Sequence, residues 1–180
     1  MKHQKITLKY VFSVLFAVLF TWFIHEFAHW FTSEALGYEA IMRLNGVRPV
    51  YGVFPTEGHQ AIISISGPII TIVQGIVFYL LLQSKGWITW CYPLLFTTFY
   101  MRFLAGIMNF LNPNDEARVG QYLGIGTHTL SLLVSIFLFV LVYKISKKYQ
   151  LHWKFQFWTL FIVILISWTI IYVDMYFRIQ

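Results

Sequence analysis

Two histidines and a glutamate stand in an otherwise apolar and aromatic stretch, FTWFIHEFAHWFT, at residues 20–32. His25 and His29 are four residues apart, so on a helix they share one face, one turn apart. Two imidazoles in that arrangement can bind one zinc ion through their nitrogens. Glu26 lies next to the first histidine, where it can act as general base toward a water at the metal. The pattern therefore predicts a zinc site within a helix.

The alternative is that the helix has already left the membrane and that these are polar residues of the interface. Helical rise places His25 roughly 23 Å beyond Tyr10, inside an apolar core about 30 Å thick but near its outer face. Ionisable residues within a span are costly and usually functional. Three of them together, with no basic side chain next to them, favour a bound cation.

Composition predicts an integral membrane protein. Of the 180 residues, 58% are hydrophobic and only 11% are charged, whereas about a quarter of the residues in a soluble domain are charged. A spanning helix needs about 20 mostly apolar residues. We predict an all-α polytopic protein, one integral membrane domain over residues 1–180, with five spans at roughly 10–31, 61–83, 88–110, 119–143 and 154–175.

Two of these spans have alternatives. Lys2, Lys5 and Lys9 precede the first apolar run, as in a cleaved signal peptide, but no convincing small-residue cleavage site follows. The third span contains Pro93 and Arg102, which makes it the weakest of the five. Arg102 would either pair with a carboxylate of the site or extend to the nearer interface.

Lysines and acidic residues fall on opposite sides of the predicted membrane. With five spans and a cytoplasmic N-terminus, all eight lysines fall on one side, which is the positive-inside pattern. The acidic residues Glu34, Glu39, Glu57, Asp115, Glu116 and Asp174 fall on the other side. The net charge of +6 therefore reflects topology and anionic lipid, and not nucleic acid. The HEFAH segment is expected toward the non-cytoplasmic side.

A third zinc ligand is expected, because a catalytic zinc usually has three protein ligands and one open position. The single cysteine, Cys91, excludes a site built from cysteines. The best candidates are Asp115 and Glu116. They could equally be the first-turn acids of the fourth helix, with Asn112 as N-cap and Pro113 as first helical residue. Other candidates on the same side are Glu57, His59, His128 and Asp174.

A β-hairpin is predicted between the first two spans. Asn45-Gly46 is a strong hairpin signal. Apolar residues flank it on both sides: Ile41, Met42, Leu44, Val47, Val50, Tyr51 and Val53. Pro49 would have to lie at an edge or a bulge.

In three segments the chain resembles the site-2 protease family, zinc metalloproteases that cut within membranes. The segments are HEFAH at 25–29, SGPIITIVQG at 66–75 and NFLNPNDEAR at 109–118, and the resemblance covers roughly residues 10–125. It implies one zinc ion held by His25, His29 and Asp115, with Glu26 as catalytic base. The proline-to-aspartate spacing is shorter than in the family, and Glu116 stands where the family has a glycine, so Glu116 is the alternative third ligand.

The resemblance also implies how a substrate would bind. Asn109 matches the motif asparagine and would hold an unwound substrate strand. The hairpin edge could pair with that strand, or the hairpin could simply cap the fold. Gly67 and Pro68 would bring hairpin or substrate near the zinc, or would only allow close packing at a kink. Apart from the resemblance, Arg102 is a further candidate for substrate binding as an intramembrane charge; it would otherwise pair with Glu26 or Asp115, or extend to the nearer interface.

The expected function is cleavage of a transmembrane or membrane-proximal segment of a membrane protein. The substrate span should contain helix-breaking Gly, Pro or Asn, because a helix hides the scissile carbonyl in its own hydrogen bonds. The alternatives are an inactive zinc-binding scaffold that binds membrane partners, and a metal transporter. The transporter is disfavoured because the last two predicted spans offer almost no polar path. The expected setting is a bacterial cell membrane.

Overall fold

The computed structural model describes residues 4–52 and 56–179. In chain order the elements are α1 (Leu8–Ala35), β1 (Ala40–Arg43), β2 (Gly46–Pro49), α2 (Glu57–Ser84), α3 (Cys91–Met108), α4 (Asp115–Tyr122), α5 (Thr129–Lys148) and α6 (Trp153–Ile179). All helices except α4 contain a segment long and apolar enough to cross a membrane. The predicted all-α polytopic fold, with five spans and a small hairpin between the first two, is confirmed.

Helix α1 buries its polar side and exposes its aromatic side. Thr21, His25, His29 and Ser33 follow one another at intervals of four residues, and all four are buried. Thr21 accepts a hydrogen bond from the side-chain amide of Gln74 in α2, at 2.8 Å. The exposed face carries Phe12, Phe16, Phe23, Phe27 and Phe31. This polarity suits a lipid surround, where polar groups must find partners inside the protein.

The hairpin forms where it was predicted, with its turn one residue earlier than the Asn-Gly signal. Leu44 and Asn45 make the loop, and Gly46, with φ 139°, opens β2 opposite Arg43. Pro49 ends β2, where a missing N–H is tolerated. Val50 and Tyr51 follow the strand. Val53 lies outside the described residues.

Two tryptophans of α1 hold the hairpin against that helix. The indole N–H of Trp22 donates to the side-chain oxygen of Asn45 at 3.3 Å, and that of Trp30 donates to the carbonyl of Ala40 at 3.1 Å. The aromatic residues on either side of HEFAH therefore contribute hydrogen bonds as well as apolar surface.

The fourth predicted span, 119–143, is wrong in its boundaries. The chain forms the short helix α4, bends, and starts the spanning helix α5 only at Thr129. Gly124 and Gly126 lie in the bend with φ of 70° and 92°. Those angles interrupt a helix and suit glycine, which has no Cβ.

The start of α4 also differs from the prediction. Asn112 and Pro113 were expected to begin it, but the first helical residue is Asp115. The backbone N–H of Asn114 donates to the side-chain oxygen of Asn109 at 2.9 Å, and the Asn114 side chain donates to a backbone carbonyl of α3. The residue before α4 is therefore held by the end of α3.

Lysine-bearing helix ends meet at one end of the bundle. The ammonium of Lys148 donates to the carbonyl of Gln83 at 2.6 Å, which joins the end of α5 to the end of α2. Gln4 donates to the carbonyl of Gln150 at 2.8 Å, which places the start of α1 beside the α5–α6 turn. His25 and His29 lie near the other end of α1.

Gly120 tests the contact between α4 and the bend. A Cβ at this position would overlap the backbone carbonyl oxygen of Gly126, and backbone cannot rotate away as a side chain can. Gly120→Ala should therefore destabilise the protein by about 1–3 kcal/mol, the usual cost of overpacking. Thermal unfolding in detergent measures the loss.

Gly106→Ala is the matched control. Its added Cβ would meet the Cβ of Ser131 at 3.5 Å, an ordinary contact. The control should lie within about 0.5 kcal/mol of the wild type. Equal destabilisation by the two substitutions would contradict the prediction.

Candidate metal centre

Three side chains from distant parts of the chain meet at one point. The Nε2 atom of His25 lies 3.1 Å from Nε2 of His29. Oδ2 of Asp115 lies 3.2 Å from the first of these nitrogens and 3.3 Å from the second. Both histidines are buried, and the Asp115 side chain is 19% exposed. The structure thus brings together His25, His29 and the favoured third candidate.

Hydrogen bonds on the far side of each ring determine where the histidine protons lie. Nδ1 of His29 is 2.7 Å from the carbonyl oxygen of Ile63, which can only accept, so this nitrogen donates. The Thr71 hydroxyl donates to the carbonyl of Gly67 at 2.9 Å and therefore accepts from Nδ1 of His25 at 3.2 Å. In a neutral imidazole the other nitrogen then carries a lone pair. With both rings neutral, both Nε2 atoms are therefore acceptors.

The centre of the cluster consequently holds three electron-pair donors that face one another. The guanidiniums of Arg102 and Arg118 lie 3.8 Å and 3.7 Å from the Asp115 carboxylate and favour its ionised form. A proton on one Nε2 would make a hydrogen bond with only one of the other two atoms, whereas a metal ion can accept electron pairs from all three. Two imidazoles and a carboxylate, with the far nitrogens hydrogen-bonded, are a donor set that fits zinc.

Gly67 allows α2 to approach the two imidazoles. A Cβ on this residue would overlap the rings of His25 and His29 and lie 2.7 Å from Nδ1 of His25. Pro68 follows and is also buried; since it has no N–H, the carbonyl of Ser64 loses its helical partner. Gly67 brings helix backbone against the histidines, as the close-packing alternative predicted, and contact of Gly67 and Pro68 with substrate stays a prediction.

Glu116 faces Arg102 and not the histidines. Its Oε1 accepts from the Arg102 guanidinium at 3.0 Å, and both side chains are buried. The same guanidinium lies 3.8 Å from Asp115 and 3.4 Å from Nε2 of His25. Arg102 therefore does not extend to an interface. Its predicted contact with Asp115 is present at 3.8 Å, but its main partner is Glu116, which was predicted as an alternative ligand and not as its partner. Of the two adjacent acidic residues, Asp115 is therefore the one that lies with His25 and His29.

Glu26 lines the same cavity as the three-donor cluster. The cavity has a volume of about 550 Å³ and is bounded by α1, the hairpin, α2 and the α3–α4 loop. Glu26 is 6% exposed, and none of the described residues donates a hydrogen bond to its carboxylate. A carboxylate that faces a cavity without a donor is available to take a proton from a molecule bound there.

Asn109 is occupied by contacts within the protein. Its side-chain amide donates to the Ser131 hydroxyl at 2.7 Å, and its oxygen accepts from the backbone of Asn114. These bonds hold the loop that leads to Asp115. Contact of Asn109 with substrate stays a prediction.

Among the described residues, no other candidate ligand joins the group of three donors. The Nδ1 atom of His59 pairs with the hydroxyl of Tyr38 at 2.5 Å, and His128 stacks on Phe110. Asp174 is buried within α6. Within residues 4–52 and 56–179, the group that could hold a metal consists of His25, His29 and Asp115.

Sequence reasoning missed the groups that orient the histidines. Thr71 lies one helical turn after Gly67, and Thr21 lies one turn before His25. Polar residues at four-residue intervals in an apolar helix are a detectable signal for an internal face. The carbonyl of Ile63 carries no such signal, because any residue supplies a carbonyl.

Comparison of the chain with models of known protein families, with curated proteins and with solved structures finds no match.

Gly67→Ala should abolish metal binding. The new methyl group would displace one or both imidazoles, because the overlapping atoms are rings and not flexible side-chain ends. We expect about one zinc per chain in the wild type and little or none in the variant, by elemental analysis. Gly106→Ala should keep its zinc, and full zinc content in Gly67→Ala would refute the predicted displacement.

Arg102→Met should cost far more stability than Arg118→Gln. Loss of the first guanidinium leaves Glu116 buried and unpaired, which costs about 3–5 kcal/mol. Arg118 is 48% exposed and lies 3.7 Å from Asp115, and an exposed ion pair contributes about 0–1 kcal/mol. Thermal unfolding in detergent compares the two variants.

A double variant, Arg102→Met with Glu116→Leu, separates the ion pair from side-chain volume. Removal of both charges leaves no unpaired ion, so much of the lost stability should return. If the double variant is as unstable as Arg102→Met, the unpaired carboxylate is not the cause.

Proposed function

We propose that this protein is a zinc-dependent intramembrane endopeptidase, with an active site similar to that of the site-2 proteases. One observation carries the proposal: three mutually facing electron-pair donors lie beside an unpaired carboxylate in a cavity lined by a membrane-spanning helix. His25, His29 and Asp115 would hold the ion. The hydrogen bond between Arg102 and Glu116 supports Asp115 as the ligand, because it engages the alternative carboxylate.

The chain's own groups account for the proton transfers of peptide hydrolysis. A bound zinc would supply Lewis acidity to the scissile carbonyl and to the attacking water. Glu26 accepts a proton from that water as the new carbon–oxygen bond forms. It then delivers the proton to the departing nitrogen as the carbon–nitrogen bond breaks, so the products are one carboxyl and one amino terminus.

The hairpin gives an unwound substrate a place to lie. Arg43, Asn45, Gly46, Val47 and Arg48 line the cavity. The outer edge of β1 is bonded to α1 at Ala40, whose carbonyl accepts from Trp30 and whose N–H donates to Glu34, so an added strand would pair with the outer edge of β2. A substrate helix must unwind before its carbonyl is accessible, which favours spans that contain Gly, Pro or Asn.

The site would face the non-cytoplasmic side of a bacterial cell membrane. The lysines at the opposite end of the bundle support this orientation, because positively charged loops stay in the cytoplasm. The apolar core between the two ends argues against a transporter, since Val14, Val18 and Leu95 are buried there and offer no ligand to an ion.

Zinc content and cleavage measured on the same variants test the proposal. The wild type, Glu26→Gln, Asp115→Ala and Glu116→Gln are purified in detergent and reconstituted with a test substrate whose span contains Gly and Asn. Glu26→Gln should keep its zinc and lose cleavage by at least about 100-fold. Asp115→Ala should lose both its zinc and its cleavage activity. Glu116→Gln keeps a hydrogen bond to Arg102, so it should retain zinc and at least part of its cleavage activity.

Three outcomes would overturn parts of this proposal. No zinc in the folded wild type, even after zinc is supplied, would exclude the metalloprotease. Zinc bound by the wild type with no cleavage of any test substrate would indicate the inactive scaffold. Zinc lost from Glu116→Gln and kept by Asp115→Ala would identify Glu116 as the third ligand.

A further inference from the structure

In the part of the chain that the structure describes, the arginines that line the cavity lie at the end of the molecule opposite the lysines. The chain has eight lysines and five arginines. Four of the arginines line the cavity that contains Glu26: Arg43, Arg48, Arg102 and Arg118. The positive-inside pattern accounts for the lysines, but not for arginines around an active-site cavity at the other end.

Two of these arginines are neutralised by carboxylates of the chain. Arg102 pairs with Glu116 at 3.0 Å, and Arg118 lies 3.7 Å from Asp115. Arg43 and Arg48 differ, since neither lies within 4 Å of a carboxylate oxygen in the part of the chain that the structure describes. The hairpin therefore brings two uncompensated positive charges to the cavity.

The register of the hairpin puts both guanidiniums on the same face. Ile41 pairs with Arg48, and Arg43 pairs with Gly46. Directly paired residues share a face, and so do residues two apart on one strand. Arg43 and Arg48 therefore lie diagonally on one face, and Gly46 opposite Arg43 leaves room for a ligand.

We propose that Arg43 and Arg48 bind a carboxylate of the substrate close to the scissile bond, so that the enzyme prefers segments with an acidic residue there. The inference rests on the proposed peptidase function. Guanidinium groups bind carboxylates through paired, charge-assisted hydrogen bonds. Glu26 and Asp115 would repel an acidic substrate, and two uncompensated guanidiniums at the same cavity offset that repulsion.

A phosphate of a lipid headgroup is the other ligand that two guanidiniums would suit. The cavity favours the peptide, because Arg43 and Arg48 line the space that also contains Glu26 and the three metal donors. A group bound there lies beside the reacting bond and not only at the membrane surface.

The test compares substrates that differ by a single charge. Each test substrate has the same apolar span and the same Gly-Asn break, with one Glu placed at successive positions on either side of the break, or Gln at the same position. Cleavage is measured in phosphatidylcholine vesicles and repeated with phosphatidylglycerol added. Substrate binding is measured separately on the Glu26→Gln protein, over a range of salt concentrations.

We expect at least one Glu substrate to have a kcat/KM about tenfold above its Gln counterpart, as one charge-assisted hydrogen bond would give. Arg43→Gln combined with Arg48→Gln should reduce this ratio to about one and abolish the salt-dependent difference in binding. The matched control, Lys144→Gln with Lys147→Gln, removes two positive charges at the other end of the bundle and should retain the ratio. Zinc content and thermal unfolding show whether each double variant is folded.

Each remaining outcome decides against the inference. Equal cleavage and equal binding of Glu and Gln substrates by the wild type would overturn it, and so would a preference that survives in the arginine variant. If the arginine variant differs from the wild type only in anionic vesicles and equally for all substrates, the two arginines bind headgroups. Failure of the peptidase function is distinguishable: the zinc-loaded wild type would cleave no substrate, while binding to Glu26→Gln would still report any charge preference.

Discussion

Mutual repulsion among three electron-pair donors is the constraint on which the rest of this structure depends. Two imidazole nitrogens, each with its proton on the far side of the ring, lie 3.1 Å apart beside an ionised carboxylate. Because both histidines are buried, a positive charge at the centre of the three donors would stabilise this arrangement. The closeness of α2, the hydrogen bonds to Ile63 and Thr71, and the placement of Asp115 all serve to hold these donors together.

The lipid environment explains why the polar residues lie inside. In a soluble protein a helix with phenylalanines on its exposed face would aggregate, but α1 can present them to lipid. Its polar stripe must then find partners within the bundle, and α2 supplies them through Gln74, Thr71 and the backbone around Gly67. The same hydrogen bonds that satisfy the buried polar groups also orient the candidate ligands.

The charged residues that line the cavity are paired on one side and unpaired on the other. The buried pair of Arg102 and Glu116 links α3 to α4 and keeps one of two adjacent acids away from the histidines. The hairpin, held to α1 by Trp22 and Trp30, closes the other side with guanidiniums that have no carboxylate partner among the described residues. The paired charges thus support the cluster of His25, His29 and Asp115, and the unpaired guanidiniums of the hairpin are left to bind a ligand.

The sequence by itself determined the features that depend on local periodicity: the number of spans, the shared face of His25 and His29, and the hairpin at Asn45. Each follows from residues within one or two turns of one another. The break before α5 was predictable only in part, since glycines such as Gly124 can also lie within a spanning helix.

Tertiary structure alone decided which acid meets the histidines. Asp115 and Glu116 are neighbours in the first turn of α4, and consecutive helical side chains point about 100° apart. Which one faces α1 depends on how α4 docks, and therefore on Asn109, Asn114 and the bend at Gly126. The sequence lists these groups, but their distances depend on contacts between segments far apart in the chain.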